Sequence, residues 1–205
     1  MQGHAFAVAR WVALAWLLVW VPTYWRAWGV ANFFLLCDIA VFLAVLGFWQ
    51  ASPLLLSSQA VATPVLGLVW LLDVSWRLLT GAHLLGGTEY MWATDQPLWV
   101  RLLSLFHVLL PVALFWAVRR VGYDPRGWQL QAAVAAAAMI ASRFFDPAKN
   151  MNYAFRDPFF HREWGPAPLH VAIVWAVTVA AVYWPTHCVL VRILPSAEKK
   201  DELTR

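Results

Sequence analysis

The stretch NFFLLCDIAVFL, residues 32–43, decides the fold, because it is too apolar for the surface of a soluble protein. It also carries Asn32, Cys37 and Asp38 among aromatic and branched apolar side chains. Comparable runs recur along the chain: 62% of its 205 residues are hydrophobic and 13% are charged, against roughly a quarter charged in an ordinary soluble domain. This composition predicts an integral membrane protein.

Six apolar runs approach the roughly 20 residues that a helix needs to cross a bilayer. Each run is expected to be helical, because lipid cannot satisfy open backbone groups and the sequence lacks the alternation of a β-barrel strand. We therefore predict an all-α fold, a polytopic bundle of about six transmembrane helices forming one integral membrane domain. The predicted spans are residues 5–21, 30–48, 53–79, 98–118, 128–145 and 167–194.

The orientation follows from the charges between the runs. With six spans both termini lie on one side, and we expect them in the cytoplasm of a protein of the cell (inner) membrane. The long loops near residues 81–97 and 146–166 then share the other side, with Trp92 and Trp164 at the interface. The cations that favour this orientation are Arg119, Arg120, Arg126, Arg192, Lys199, Lys200 and Arg205.

Charge and residue spacing also exclude several classes of function. The net charge of +4 is not gathered into a basic stripe, so the expected partners are membrane lipids or another membrane protein, and not nucleic acid. Cys37 and Cys188 lie near opposite faces of the predicted bilayer and cannot form a disulfide. We expect no metal and no cofactor: His83, His161 and His170 lack ligand spacing, and His107 has no second His at its depth to bind haem.

Four polar side chains fall at one predicted depth in the membrane. At ~1.5 Å per residue, Cys37 and Asp38 lie roughly 10 Å below the non-cytoplasmic boundary, Asp73 at a similar depth, and His107 roughly 13 Å down. An ionisable group there costs a few kcal/mol unless it faces the bundle interior and has a partner. The sequence thus predicts a polar pocket that these side chains share, open towards the non-cytoplasmic leaflet.

A thiol and an imidazole in one pocket suggest nucleophilic catalysis. Cys37 is then the nucleophile, His107 its base, and Asp73 the residue that orients the imidazole. Asp38 points roughly 100° away from Cys37 on a helix and is the weaker orienter. The alternatives remain open: a membrane Cys is usually a small hydrophobe, a lone His usually bonds to a neighbouring helix, and Asp73 could pair with Arg77 four residues on.

Three segments follow one another in the order FFLLCDIAVFL, SLFHVLLP and PAKNMNYAFRDP. Over residues 30–160 they resemble landmarks of the bacterial YwaF-like integral membrane proteins. Distant relatives of that family in animals are membrane lipid acyltransferases with a Cys and a His. The resemblance implies that Cys37 is the nucleophile, that His107 is the base, and that Asn150, Asn152 and Tyr153 form a polar loop over the site. The chain departs from the family at Leu35, where the family has a His two residues before the Cys.

Two hypotheses follow for the function. In the first, a lipid acyltransferase or acyl-ester hydrolase uses Cys37 to attack an ester carbonyl, and Asn152 stabilises the oxyanion in a substrate pocket that includes Asn32 and Asp38. In the second, the protein is a non-catalytic membrane module that binds a lipid or a partner subunit, and its buried polar layer sets the helix register.

Overall fold

The computed structural model describes residues 4–197, and within this range the chain is helical and has no β-strand. The all-α fold and the count of six helices are confirmed, whereas the prediction that all six cross a membrane stays a prediction. Lys199, Lys200 and Arg205, which enter the orientation argument, lie outside the described residues. The helices are α1 His4–Trp28, α2 Leu36–Gln50, α3 Pro53–Thr80, α4 Leu98–Val121, α5 Gly127–Ser142 and α6 Ala167–Ile193.

Four of the six helices, namely α1, α3, α4 and α6, are long and apolar enough to cross a membrane. Helix α2 has 15 residues and α5 has 16. At ~1.5 Å per residue each is shorter than the ~30 Å hydrocarbon layer. By length and composition, therefore, four spans are supported where the sequence predicted six.

Helix α3 is the centre of the bundle and packs against α2, α4, α5 and α6. Its most apolar window is 56% buried, against 11% to 22% for the other three long helices. Leu56 and Val61 of α3 pack with Leu114 of α4 in the main core. The polar side chains of α3 must therefore find their hydrogen-bond partners on the neighbouring helices and loops.

Buried amides link three helices inside this core. Gln59 of α3 donates from Nε2 to Oε1 of Gln131 on α5 at 3.2 Å, and Gln131 donates to the Tyr183 hydroxyl on α6 at 3.4 Å. Tyr183 ends a single π turn, Val179–Tyr183, two residues before Pro185, which has no backbone N–H to donate. These hydrogen bonds fix the rotation of α5 and α6 about α3.

The second helix begins later than the sequence predicted. Residues Val30–Phe34 form a 3-10 turn, Leu35 is extended with ψ 138°, and α2 starts at Leu36. Asp38 therefore lies in the first turn of α2 and not seven residues inside a span. The break at Leu35 involves neither Pro nor Gly, so apolar periodicity does not reveal it.

The two long loops lie over the same end of the bundle, as predicted. The Trp28 ring at the end of α1 contacts the Tyr90 ring of the 81–97 loop, with centroids 5.9 Å apart. The backbone at Phe34 and Leu36 is hydrogen-bonded by Asn152 of the 143–166 loop. We call this the loop end of the bundle.

Candidate functional site

Asp38 is satisfied within its own segment of chain. Its side chain is buried, one oxygen accepts a hydrogen bond from Nδ2 of Asn32, and the other accepts from Sγ of Cys37 at 3.7 Å. The carboxylate thus turns towards the 3-10 turn before α2. Asn32 and Asp38, two of the predicted substrate-binding residues, bind each other.

His107 lies in an aromatic slot at the start of the apolar part of α4. Its ring is nearly parallel to that of Trp70, at 4° and 5.2 Å, and stacks on Phe106 at 4.2 Å. Nδ1 donates to the carbonyl oxygen of Ser104 at 2.8 Å, so Nδ1 carries the proton and Nε2 keeps its lone pair. His107 is therefore oriented by backbone and aromatic rings.

Cys37 and His107 line one small cavity between α2, α3 and α4. Its volume is about 10 Å³, room for a single water molecule. Within residues 4–197 the thiol hydrogen-bonds to Asp38 and forms no hydrogen bond with His107. The structure thus brings the predicted nucleophile and base to one cavity without joining them. Its lining is Cys37, Thr63, Leu66, Gly67, Phe106, His107, Leu110 and Pro111.

Asp73 is bound by the 81–97 loop. Oδ2 accepts from Nδ1 of His83 at 2.9 Å and from the Thr88 hydroxyl. Oδ1 accepts three successive backbone amides, those of Leu84, Leu85 and Gly86, at 2.7 to 3.0 Å. The buried carboxylate therefore organises the loop that folds back over the end of α3.

The prediction that Asp73 orients His107 is wrong, because both of its oxygens are occupied by the loop and the imidazole that it orients is His83. The described residues also contain no Asp73–Arg77 ion pair; Arg77 lies over the Trp92 ring at 5.8 Å. Asp73 binds these groups because the 81–97 loop folds back and brings its successive donors, from His83 to Thr88, to the carboxylate.

Asn152 clamps the start of α2 to the end of α5. Oδ1 accepts from the Leu36 amide at 2.9 Å, and Nδ2 donates to the Phe34 carbonyl at 2.7 Å and to the Ser142 hydroxyl at 2.9 Å. Its backbone is left-handed, with φ 51°. Both N–H groups of Nδ2 are occupied by these hydrogen bonds, so in this arrangement the Asn152 side chain has no donor left for the oxyanion role that the sequence suggested.

The other two predicted loop residues also shape the loop. Asn150 accepts the amides of Phe155 and Arg156 on Oδ1 and donates to the Arg156 carbonyl. Tyr153 offers its backbone carbonyl to Nε2 of His170 at 3.0 Å. Neither residue lines the cavity shared by Cys37 and His107.

Two residues that the sequence analysis did not assign a role complete the 143–166 loop. His170 of α6 is fully buried; Nε2 donates to Tyr153 and Nδ1 accepts the Trp164 amide at 3.1 Å. Asp157 accepts the indole N–H of Trp164 and three loop amides, those of Phe159, Phe160 and Arg162. The pair Asp157-Pro158 is a turn signal that could have indicated this role.

The charge of Asp157 is stabilised by these donors. Burial alone would raise the pKa of its carboxyl, but the amides of Phe160, Phe159 and Arg162 and the Trp164 indole outweigh burial, and the pKa is lowered. The loop therefore closes around an ionised Asp157.

An apolar groove lies between α5 and α6 at the loop end, with a volume of about 490 Å³. This is within the size range of small-molecule sites. Trp175 belongs to its lining, and the Trp175 Nε1 donates to the Ala132 carbonyl at 2.8 Å. We call it the α5–α6 groove; its lining is Ala136, Ile140, Arg143, Phe144, Ala167, Pro168, Val171, Ala172 and Trp175.

Arg143 is the only charged residue of that lining. Its Nη1 donates to the Ala154 carbonyl at 2.9 Å and to Oε1 of Glu163 at 3.1 Å, and its guanidinium lies over the Phe155 ring at 4.2 Å. The side chains of Arg143 and Glu163 are 25% and 44% exposed. The groove thus ends at an ion pair that solvent and ligands can reach.

The fold and these sites define an all-helical protein of six helices, four of them long and apolar enough to cross a membrane. Between residues 4 and 197, no three His, Cys, Asp or Glu side chains gather in a metal-binding group. Comparison with known proteins finds no matching family model, curated protein or solved structure. The YwaF-like resemblance stays a prediction from the three segments quoted above.

Proposed function

We propose that the chain is a polytopic membrane protein that binds a lipid acyl chain in the α5–α6 groove, without catalysing a reaction on it. The observation that carries this proposal is the groove itself, apolar along its length and ending at Arg143. Its lining includes exposed apolar side chains, Ile140 at 56% and Phe144 at 85%. In water such a surface would be unfavourable, whereas in a bilayer it is solvated by lipid.

The membrane topology that goes with this proposal has all six helices within the bilayer of the cell (inner) membrane and both termini in the cytoplasm. Helices α2 and α5 are short for a full crossing, and the loop end covers their open ends with hydrogen-bonding side chains such as Asn152. The exposed cations Arg119 and Arg120 at the end of α4 favour a cytoplasmic position for the opposite end of the bundle.

Cysteine accessibility tests this topology. In a background with Cys37→Ser and Cys188→Ser, a membrane-impermeant thiol reagent added outside should label Ala93→Cys and leave Ser196→Cys unlabelled. Inverted vesicles should give the reverse pattern. Labelling of Ala93→Cys from the cytoplasmic side would overturn the orientation.

The binding proposal is tested by filling the groove. Ala136→Trp places an indole in the lining, whereas Ala133→Trp adds the same side chain to an exposed position of α5 outside that lining. Native mass spectrometry of the protein in detergent with added phospholipid should show lipid adducts for the wild type and Ala133→Trp, and lose them for Ala136→Trp. Adducts that persist in Ala136→Trp, or vanish equally in both variants, would contradict the proposal.

A second candidate function is acyl chemistry at Cys37, favoured by its common cavity with His107. The Cys37 proton would pass to Nε2 of His107, Sγ would bond to the acyl carbon as the ester C–O bond breaks, and the proton would go to the leaving alkoxide. The cavity would have to widen greatly to admit an acyl chain, so the geometry supports the binding function better. An acyl-thioester probe should label the wild type but not Cys37→Ser; an unlabelled wild type removes this candidate.

A further inference from the structure

We propose that the Arg143–Glu163 pair selects the headgroup of the lipid in the α5–α6 groove, and that this headgroup is phosphoethanolamine. The inference rests on the proposed lipid-binding function. Phosphatidylethanolamine would lay an acyl chain in the groove, place its phosphate on Arg143 and its ammonium on Glu163.

Arg143 is placed where a headgroup would lie. It directly follows the last residue of α5, and the neighbouring Phe144 is 85% exposed. Arg143 belongs to the lining of the apolar groove, and its guanidinium donates a hydrogen bond to the polar loop. A lipid with its chain along Ile140 and Val171 would therefore bring its phosphate to this residue.

Arg143 also keeps donors for a phosphate. Its hydrogen bonds to Ala154 and Glu163 both use Nη1, and its contact with Phe155 uses the face of the guanidinium. A guanidinium has five N–H donors in a planar fork that matches phosphate oxygens. The edge formed by Nε and Nη2 is thus the recognition element for the phosphate.

Glu163 makes the site selective between headgroups. Its carboxylate lies 3.1 Å from Nη1 of Arg143 and is 44% exposed, so it can accept a second donor from the ligand. A primary ammonium offers three N–H donors, whereas the quaternary ammonium of choline offers none. A headgroup with only negative charge, such as phosphoglycerol, would bring its phosphate close to the carboxylate without compensation.

The test compares three phospholipids with identical acyl chains, carrying ethanolamine, choline or glycerol headgroups, by native mass spectrometry of the full-length protein. We expect the wild type to prefer phosphatidylethanolamine by about threefold to tenfold, a modest ratio because the ion pair is part-exposed. Glu163→Gln should abolish this preference and raise the relative binding of phosphatidylglycerol. Glu89→Gln, an exposed acid in the other loop, should leave the preference unchanged.

The outcomes separate this inference from the function on which it rests. Equal binding of all three lipids to the wild type, with all of it lost in Ala136→Trp, would overturn headgroup selection and leave acyl-chain binding intact. Binding of no lipid to the wild type would overturn both. The wild-type lipid series decides the question even if Glu163→Gln disturbs the loop, and retained ethanolamine preference in a folded Glu163→Gln protein would also overturn it.

Discussion

Gly67 of α3 lies directly against the backbone of His107 on α4: a Cβ added to Gly67 would stand 2.1 Å from the His107 carbonyl oxygen. The two helices therefore meet backbone to backbone, which is how small residues allow close helix packing in membranes. The His107 ring lies beside Trp70, and Gly67 also lines the cavity that His107 shares with Cys37.

Gly67→Ala should consequently destabilise the protein by about 1–3 kcal/mol, because the added methyl group forces α3 and α4 apart. The measurement is reversible unfolding in mixed micelles, followed by circular dichroism. Val69→Ala, at a part-exposed position of the same helix, is the control and should change the free energy of unfolding by about 0.5 kcal/mol or less. Equal effects of the two substitutions would show that the close contact is absent.

Asn152 should matter for stability more than for any chemistry. Asn152→Gly keeps the left-handed backbone but removes the hydrogen bonds to Phe34, Leu36 and Ser142. We expect a loss of about 2–4 kcal/mol, since the buried Ser142 hydroxyl and the part-buried Leu36 amide and Phe34 carbonyl lose a partner. Asn152→Asp, which keeps the acceptor for Leu36 and loses both donors, should also be destabilising. A Gly variant as stable as the wild type would contradict the clamp.

The helices could be predicted from the sequence because each has a long apolar run, and α3 and α4 match their predicted spans within a few residues. The candidate site could not be predicted in the same way. The predicted start of the second helix is too early because the extended Leu35 interrupts the second run, a local break without Pro or Gly. The partner of Asp73 depends on the path of the 81–97 loop, and the groove beside Ala136 depends on how α5 and α6 pack together. Neither feature leaves a periodic pattern in a single sequence.

Asp73 should control the order of the 81–97 loop. Asp73→Ala removes the acceptor for His83, Thr88 and three successive amides, and it leaves those donors without a partner. Hydrogen exchange of the loop amides, read by mass spectrometry, should accelerate at least tenfold, because each tenfold corresponds to about 1.4 kcal/mol of lost protection. Asp95→Asn, an exposed acid in the same loop, should exchange like the wild type. Unchanged exchange in Asp73→Ala would mean that the loop is held by other contacts.

Asp157 should make the 143–166 loop sensitive to acid. Its pKa is lowered in the folded protein, so its ionised form contributes stability above the ordinary aspartate pKa of about 3.9, and that contribution is lost as the pH falls through the folded value. The quantity to measure is the difference in thermal unfolding midpoint between the wild type and Asp157→Asn, from pH 7 to pH ~3. This difference should be largest near neutral pH and shrink on acidification, because protonation removes the charge that the Asn variant already lacks. The corresponding difference for Asp95→Asn should be close to zero at neutral pH. If the difference in unfolding midpoint between the wild type and Asp157→Asn stays constant or widens towards low pH, the loop does not close around an ionised carboxylate.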